Sequence, residues 1–509
     1  MKKYIFLFLS LFSSINLSAQ EKGLDQRIDE AFQPISEFFS KYVFYPIGDY
    51  PFVIYLLVGS ALFFTIYFGF PNLKYFWTAI NVVRGKYDKL EKNDNDSKDG
   101  EVSHFQALAT AVSGTVGNGN IAGVALAIAL GGPGATFWMI VCGLLGMSTK
   151  FVECTLGVYY RDVDEDGVVY GGPMYYISKG LKSKGFKTLG TIAASLFAIF
   201  CIGGSFGGGN AAQSNQATIV IKNLFGYEST FAGAMIGIVL AALVGIIIIG
   251  GIKRIASVTE KVVPFMALLY ILACIYILTI NFSFIDDAIA LIIREAFNPT
   301  AVGVGGIIGV LMVGFQRAAF SNEAGAGSAS IAHSAVKTKY AASEGLVALL
   351  EPFIDTVVIC TMTALVIITF NSSGAFVYGG DGMGGVMIDG VMYEGAGITQ
   401  KAFAQYIPGS DIFLTIAVVL FAVSTMISWS YYGLQSWKFL FGRGRVADLT
   451  YKLLFLMFVV IGAAASMNSI WAFSDAMIFA MVFPNMIGLY FLFPIVKEQL
   501  KKYLEAIKN

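Results

Sequence analysis

Residues 113–120 read Ser-Gly-Thr-Val-Gly-Asn-Gly-Asn, and residues 314–327 read Gly-Phe-Gln-Arg-Ala-Ala-Phe-Ser-Asn-Glu-Ala-Gly-Ala-Gly. Each stretch interrupts a long apolar segment, and the two lie at matching places in the two halves of the chain. Lipid leaves no partner for a free backbone N–H or C=O, so an unwound stretch at membrane depth must line a buried cavity. Paired interruptions of this kind point to the binding site of a secondary transporter.

Composition sets the surroundings. The chain has 509 residues, 56% hydrophobic and 13% charged, with a mean hydropathy of +0.69. A soluble domain carries about 25% charged residues, so this chain belongs in a lipid bilayer. A net charge of zero argues against nucleic acid as a partner. The five cysteines are scattered through apolar runs, and His104 and His333 are the only histidines. That pattern predicts neither a zinc site nor a disulfide framework.

Residues 1–20, with Lys2 and Lys3 ahead of an apolar stretch and Leu17-Ser18-Ala19 at its end, look like a cleaved secretory signal. Residues 21–50 then form an external, partly amphipathic arm. Apolar runs of about 20 residues predict eleven transmembrane helices, near 51–70, 104–130, 135–160, 188–221, 230–251, 258–281, 299–332, 341–370, 410–441, 449–466 and 471–496. With the N-terminus outside, 24 of the 34 Lys and Arg residues fall in cytoplasmic segments and 6 in external ones. This is the positive-inside pattern of a multi-pass protein of a bacterial inner membrane, with its C-terminus in the cytoplasm.

Setting aside the helix at 51–70 and the cytoplasmic linker at 71–103, charged and flexible over 86–101, ten spans divide as five (104–281) and five (299–496), joined outside by 282–298 and followed by a cytoplasmic tail at 497–509. The first five begin on the cytoplasmic side and the second five outside, so the halves are inverted, and each opens with an interrupted helix. The Gly-rich external segment 371–408 reads as a surface loop with a short hairpin, or as a lid over the site.

Candidate site residues follow from the breaks. In the first, Gly117, Asn118, Gly119 and Asn120 expose N–H groups at a half-helix N-terminus, which favours an anion such as a substrate carboxylate. Carbonyls freed around Ser113, Gly114 and Thr115 offer oxygen to a small cation, and the hydroxyls of Ser424 and Thr425 can complete its shell. Close helix packing is the competing explanation for the glycines. The second break places Gly314, Phe315, Gln316, Arg317, Ser321, Asn322 and Glu323 in an apolar span, where Arg317 and Glu323 can neutralise each other across the unwound stretch. Asn210 and Gln213 in the fourth span and Trp429 in the ninth can face the cavity. Glu351 and Asp355, four apart, share a helical face as a proton or cation site, or as a solvated patch near a gate. Lys150 and Glu153 suggest a local ion pair.

With these residues laid out, the chain resembles the alanine/glycine:cation symporter family (sodium:alanine symporters) over residues 51 to about 500. The resemblance rests on Gly131-Gly132-Pro133-Gly134-Ala135-Thr136-Phe137-Trp138-Met139, on residues 114–123 and on Tyr170-Gly171-Gly172-Pro173-Met174-Tyr175-Tyr176. Residues 320–325 with Ile331-Ala332-His333, Phe353-Ile354-Asp355-Thr356 and Ser428-Trp429-Ser430-Tyr431-Tyr432-Gly433 complete it. It implies an all-α membrane protein with a LeuT-like 5+5 inverted repeat preceded by one extra N-terminal helix. It further implies a small neutral amino acid, alanine or glycine, as substrate and sodium, in some members a proton, as coupling ion. By that analogy the carboxylate sits on amides of Gly117 to Asn120, and sodium between the Gly114 and Thr115 carbonyls and Ser424 and Thr425. Members of the family usually carry Thr-Gly-Asn where this chain has Asn118-Gly119-Asn120, and a bulkier residue where it has Ala319 or Ala326.

The alternatives are proton coupling through Glu323, Asp355 or Glu351, a channel or receptor without coupled turnover, and an intramembrane enzyme. Against an enzyme stands the lack of any Ser/His or metal constellation, and no cofactor is expected beyond the coupling ion.

Overall fold

The computed structural model describes residues 24–91, 100–227, 229, 231–299 and 306–508. The signal-like segment 1–20 lies outside the described residues. Among those described, seven helices are long and apolar enough to cross a membrane, and the bent pair His104–Thr115 with Gly119–Gly131 makes an eighth. The shorter apolar helices Phe52–Tyr67 and Ala232–Ile248, with Gly306–Asn322, fall on the three other expected spans. Strands are confined to three two-stranded hairpins in the connections.

Outward faces are apolar, as lipid contact demands. Ile238, Val239, Leu243, Phe265, Leu268, Leu272, Leu453 and Met457 are all exposed, on helices Ala232–Ile248, Gly251–Ile280 and Arg445–Ala464. Inward faces mix large apolar side chains, such as Phe151, Phe197 and Leu489, with small and polar residues that let helix backbones approach closely.

The first broken helix starts with a capping box. Ser103 Oγ accepts from the N–H of Gln106, and the Gln106 side chain accepts from the N–H of Ser103. It stops at Thr115, and a π-helical turn, Gly119–Gly123, leads into Val124–Gly131 after a 50° bend. Two further π turns, Gly207–Ala211 and Phe353–Cys360, interrupt other inner helices. Such turns insert a residue into the helical ladder and re-aim side chains, commonly at functional sites.

The second break is shorter and later than its sequence suggests. Helix Gly306–Asn322 runs unbroken through Gln316 and Arg317, because the intervening Gln, Arg, Ala and Phe are compatible with a helix. It ends where Glu323 turns left-handed at φ 56°, and Gly325 and Gly327 follow at 95° and 89°. The chain becomes helical again at Ser330–His333.

The arm is described from residue 24. Helix Leu24–Val43 lies on Met467–Ala506, where Ser36 Oγ and Ser40 Oγ donate to the carbonyls of Ser469 and Ala472 at 2.9 and 3.2 Å. The linker is anchored at its described ends rather than loose. Glu91 is buried, and the N–H of Glu101 donates to the Ala335 carbonyl at 2.7 Å.

The segment 371–408 contains the hairpin Gly385–Ile388 with Val391–Glu394 and a buried helix, Ala396–Tyr406. It is fastened to the first repeat region at three points. Ala396 N–H donates to Gln216 Oε1 at 3.0 Å, Thr399 Oγ1 to the Ile121 carbonyl at 3.2 Å, and Gly379 N–H to the Ala129 carbonyl at 2.7 Å.

Candidate functional site

A small enclosed cavity lies between the two breaks. Gly114, Thr115 and Gly119 contribute from the first, Phe320, Ser321 and Glu323 from the second, and Gly208, Gln213, Trp429 and Ile478 close it. Its volume is about 10 Å³, room for roughly one water, so a larger solute enters only if the walls part. The wall residues themselves are buried; Asn118 and Asn120 behind them have no exposed surface.

Backbone N–H groups at the first break are held by side-chain carbonyls. Asn120 Oδ1 accepts from Gly117 N–H and Gln213 Oε1 from Asn118 N–H, both at 2.9 Å. These oxygens sit where helix-terminal dipoles attract negative charge. Asn118 Nδ2 donates to the Gln213 carbonyl at 3.1 Å, and Gln213 Nε2 to the Gly208 carbonyl at 2.9 Å, which couples the first break to the π turn at 207–211. Gly117 has no substitute here, since a Cβ would fall 2.3 Å from Thr425 Oγ1.

Below this break the chain is stitched to helix Ser410–Phe441. Thr425 Oγ1 donates to the Ser113 carbonyl at 3.0 Å, and Ser113 Oγ donates to the Ser424 carbonyl at 2.8 Å. Of the expected hydroxyl pair, Thr425 reaches the break by its side chain. Ser424 Oγ turns back to the Phe421 carbonyl at 2.9 Å, as serines in helices commonly do, and meets the break through its own carbonyl.

Asp355 ties both breaks together. Its Oδ1 accepts from Asn120 Nδ2 at 2.6 Å and Ser321 Oγ at 3.1 Å, and its Oδ2 from Thr356 Oγ1 at 2.6 Å. The π turn at 353–360 removes it from the face of Glu351, which instead meets Lys150 Nζ at 3.0 Å. Both carboxylates are buried rather than solvated. Lys150 and Glu153 do not pair, because Glu153 Oε1 accepts from Asn485 Nδ2 at 2.7 Å.

Nor do Arg317 and Glu323 neutralise each other. The helix continues between them, so the two point apart, and each finds a partner elsewhere. Arg317 binds Asp475 and lies 5.7 Å over the Phe320 ring and 5.5 Å over Trp471, and Gln316 Nε2 donates to the same Asp475 oxygen at 3.0 Å. Glu323 accepts from Trp429 Nε1 at 2.8 Å and from Ser328 Oγ.

Gln316, held by Asp475, lies off the cavity, and three further sequence candidates for the substrate site do too. Asn210 Nδ2 donates to the Phe455 carbonyl at 2.6 Å, on helix Arg445–Ala464. Gly314 packs on the Ala135 carbonyl and Trp138, and Phe315 lines a separate small void with Leu57 and Cys142. Ser321, a candidate from the second break, does line the cavity, and Gly208, Phe320 and Ile478 join it, while Asp475 and Asn485 hold its surroundings. Asp475 and Asn485 stand out in sequence only as polar residues in the last apolar span.

The residues 33–509 match the model of the sodium:alanine symporter family. The chain belongs to that family. Its relatives include the sodium/alanine symporter AgcS of Methanococcus maripaludis, 39% identical over 90% of this chain and 95% of that protein. The probable sodium/glutamine symporter GlnT of Bacillus subtilis is 32% identical over 90% of this chain and 88% of that protein. In fold, the chain is similar to a manganese transporter of Eremococcus coleocola, with a TM-score of 0.51 and 12% identity over 78% of this chain and 83% of that one. This sodium:alanine symporter family member is thus an all-helical membrane transporter and not an enzyme.

Proposed function

We propose that the protein imports a small neutral amino acid, alanine or glycine, together with sodium, by alternating access in a bacterial inner membrane. One observation carries this. The carbonyl oxygens of Asn120 and Gln213 occupy the Gly117 and Asn118 amides as a substrate carboxylate would, and glycines 114, 119 and 208 line the space beside them. Family membership and the sodium/alanine symporter among its relatives support the same reading.

Sodium sits between the carbonyls that end helix His104–Thr115 and the Ser424–Thr425 pair, where Thr425 Oγ1 already donates to the Ser113 carbonyl. Small substrates are favoured because Trp429, Phe320 and Ile478 leave no depth for a long side chain. Each extra methylene is worth only about 1–3 kcal/mol of discrimination, so related small amino acids compete. In architecture, the extra helix Phe52–Tyr67 precedes a 5+5 inverted repeat of the LeuT type whose two broken helices face each other. The positive-inside count puts the N-terminus outside and the C-terminus in the cytoplasm.

Uptake of labelled alanine into proteoliposomes, with sodium and proton gradients imposed separately, tests the reading. Accumulation driven by sodium is expected. Accumulation driven by a proton gradient alone would move the coupling to Asp355, Glu323 or Glu351, and equilibration without accumulation would mean a channel.

A further inference from the structure

Below the cavity, six ionisable side chains form one buried file. Glu91 Oε2 lies 2.6 Å from His104 Nε2, and His104 Nδ1 bonds Glu344 Oε2. Glu344 Oε1 lies 2.5 Å from His333 Nδ1, His333 Nε2 lies 3.5 Å from Glu351 Oε2, and Glu351 Oε1 is 3.0 Å from Lys150 Nζ. Lys150, His333, Glu344 and Glu351 have no exposed surface. At its outer end the file opens on a cleft of about 570 Å³ lined by Arg84, Asp88, Glu91, His104 and Lys337.

We propose that this file is a proton-binding site, loaded from the face assigned to the cytoplasm, whose protonation latches the inner halves of both broken helices. It is separate from the sodium site and adds a second ligand to the transport cycle. The argument is one of charge. Buried charges persist only when compensated. Three carboxylates, Glu91, Glu344 and Glu351, face a single ammonium, Lys150, so neutrality requires one additional proton on each imidazole. Glu91 is held as a carboxylate by Tyr503, Thr338 and Ser343, which donate to it at 2.6, 2.9 and 3.0 Å.

The elements joined make the site a latch. His104 opens the first broken helix, His333 closes the short helix after the second break, and Glu344 accepts from both. Unlatching releases two protons. His104 gives its Nε2 proton to Glu91, which passes it to water in the cleft. His104 keeps its Nδ1 proton, so the second proton leaves by another route: His333 gives its Nδ1 proton to Glu344, water entering from the cleft carries it away, and His333 remains neutral with its proton on Nε2. Two neutral rings and three carboxylates remain against one ammonium, and their repulsion draws water between the inner halves. The 3.5 Å contact between His333 Nε2 and Glu351 Oε2, the longest link of the file, marks the seam that parts first.

The test uses the full chain in oriented proteoliposomes, with labelled alanine, a fixed sodium gradient and constant outer pH, while inner pH is stepped between about 6 and about 8.5. Wild-type uptake is expected to slow roughly threefold or more at acid inner pH. His333→Gln, which keeps an amide but cannot titrate, is expected to flatten that profile. Glu91→Gln, at the mouth, removes one carboxylate and moves the midpoint to lower pH. A flat wild-type profile, or variants that reproduce it unchanged, overturns the proposal while leaving sodium-driven uptake intact. Should alanine uptake itself fail, thermal unfolding of the full chain in detergent reads the same site. Wild type then loses stability as pH rises and protons leave, whereas His333→Gln, with only His104 left to titrate, loses less, and coincident profiles overturn the latch.

Discussion

Asn120 Nδ2 lies 2.6 Å from Asp355 Oδ1, and that oxygen also accepts from Ser321 Oγ at 3.1 Å. One carboxylate therefore fixes the register of the two breaks against each other. Asp355→Ala leaves Asn120 and Ser321 without their shared acceptor, and Asn120 no longer holds Gly117 N–H in place. Uptake is expected to fall at least about tenfold, equivalent to ~1.4 kcal/mol, and labelled alanine uptake at saturating sodium measures it. Uptake within twofold or so of wild type would show that the breaks hold their register unaided.

Gly117 and Gly119 separate by steric room. A Cβ at 117 meets Thr425 Oγ1 at 2.3 Å, whereas one at 119 meets Ser321 Cα at 3.3 Å. Gly117→Ala should abolish uptake and Gly119→Ala should reduce it only partly. Adding Thr425→Ala to Gly117→Ala should not restore uptake, since Gln213 Oε1 at 3.0 Å and the retained Thr425 Cβ at 3.2 Å still crowd the new Cβ.

Thr425→Ala alone removes the donor to the Ser113 carbonyl. The sodium concentration for half-maximal uptake should rise about tenfold, with the ranking of competing amino acids unchanged. Titrating sodium at several alanine concentrations separates the two effects, and a sodium response equal to wild type would place the ion elsewhere.

Arg317 and Asp475 form a buried pair, each less than a tenth exposed. Removing one partner strands a charge, so Arg317→Leu should cost about 3–5 kcal/mol, and Arg317→Leu with Asp475→Leu considerably less. Thermal unfolding of the full chain in detergent gives the order. If the double variant is the less stable, the pair contributes more than charge compensation.

The sequence shows the first break plainly because glycine and asparagine in an apolar run cannot be disguised: the helix has to stop there, and Gly119 lines the cavity. The second break is misplaced by its own composition. Polar Gln316 and Arg317 look like an interruption, yet they are helix formers, and the stop is set by backbone conformation at Glu323, Gly325 and Gly327. Pairing is harder to foresee. A charge in an apolar span announces that it needs a partner without saying where, and the partner of Arg317 lies 158 residues away. Asn210 fails for a related reason, since a π turn at 207–211 rotates it onto a neighbouring helix. The histidine file is not legible as a unit in sequence, because its members are spread over the linker at Glu91 and the segments at His104, Lys150, His333 and Glu344 with Glu351, and only the fold brings them together.

Thr399 Oγ1 holds the Ile121 carbonyl, inside the π turn that begins at Gly119. A surface segment is thereby bolted to the floor of the binding chamber. Any rearrangement of that turn on loading must tug the hairpin above it, so a fluorophore at Asp389, at the hairpin tip, would report occupancy without touching the cargo.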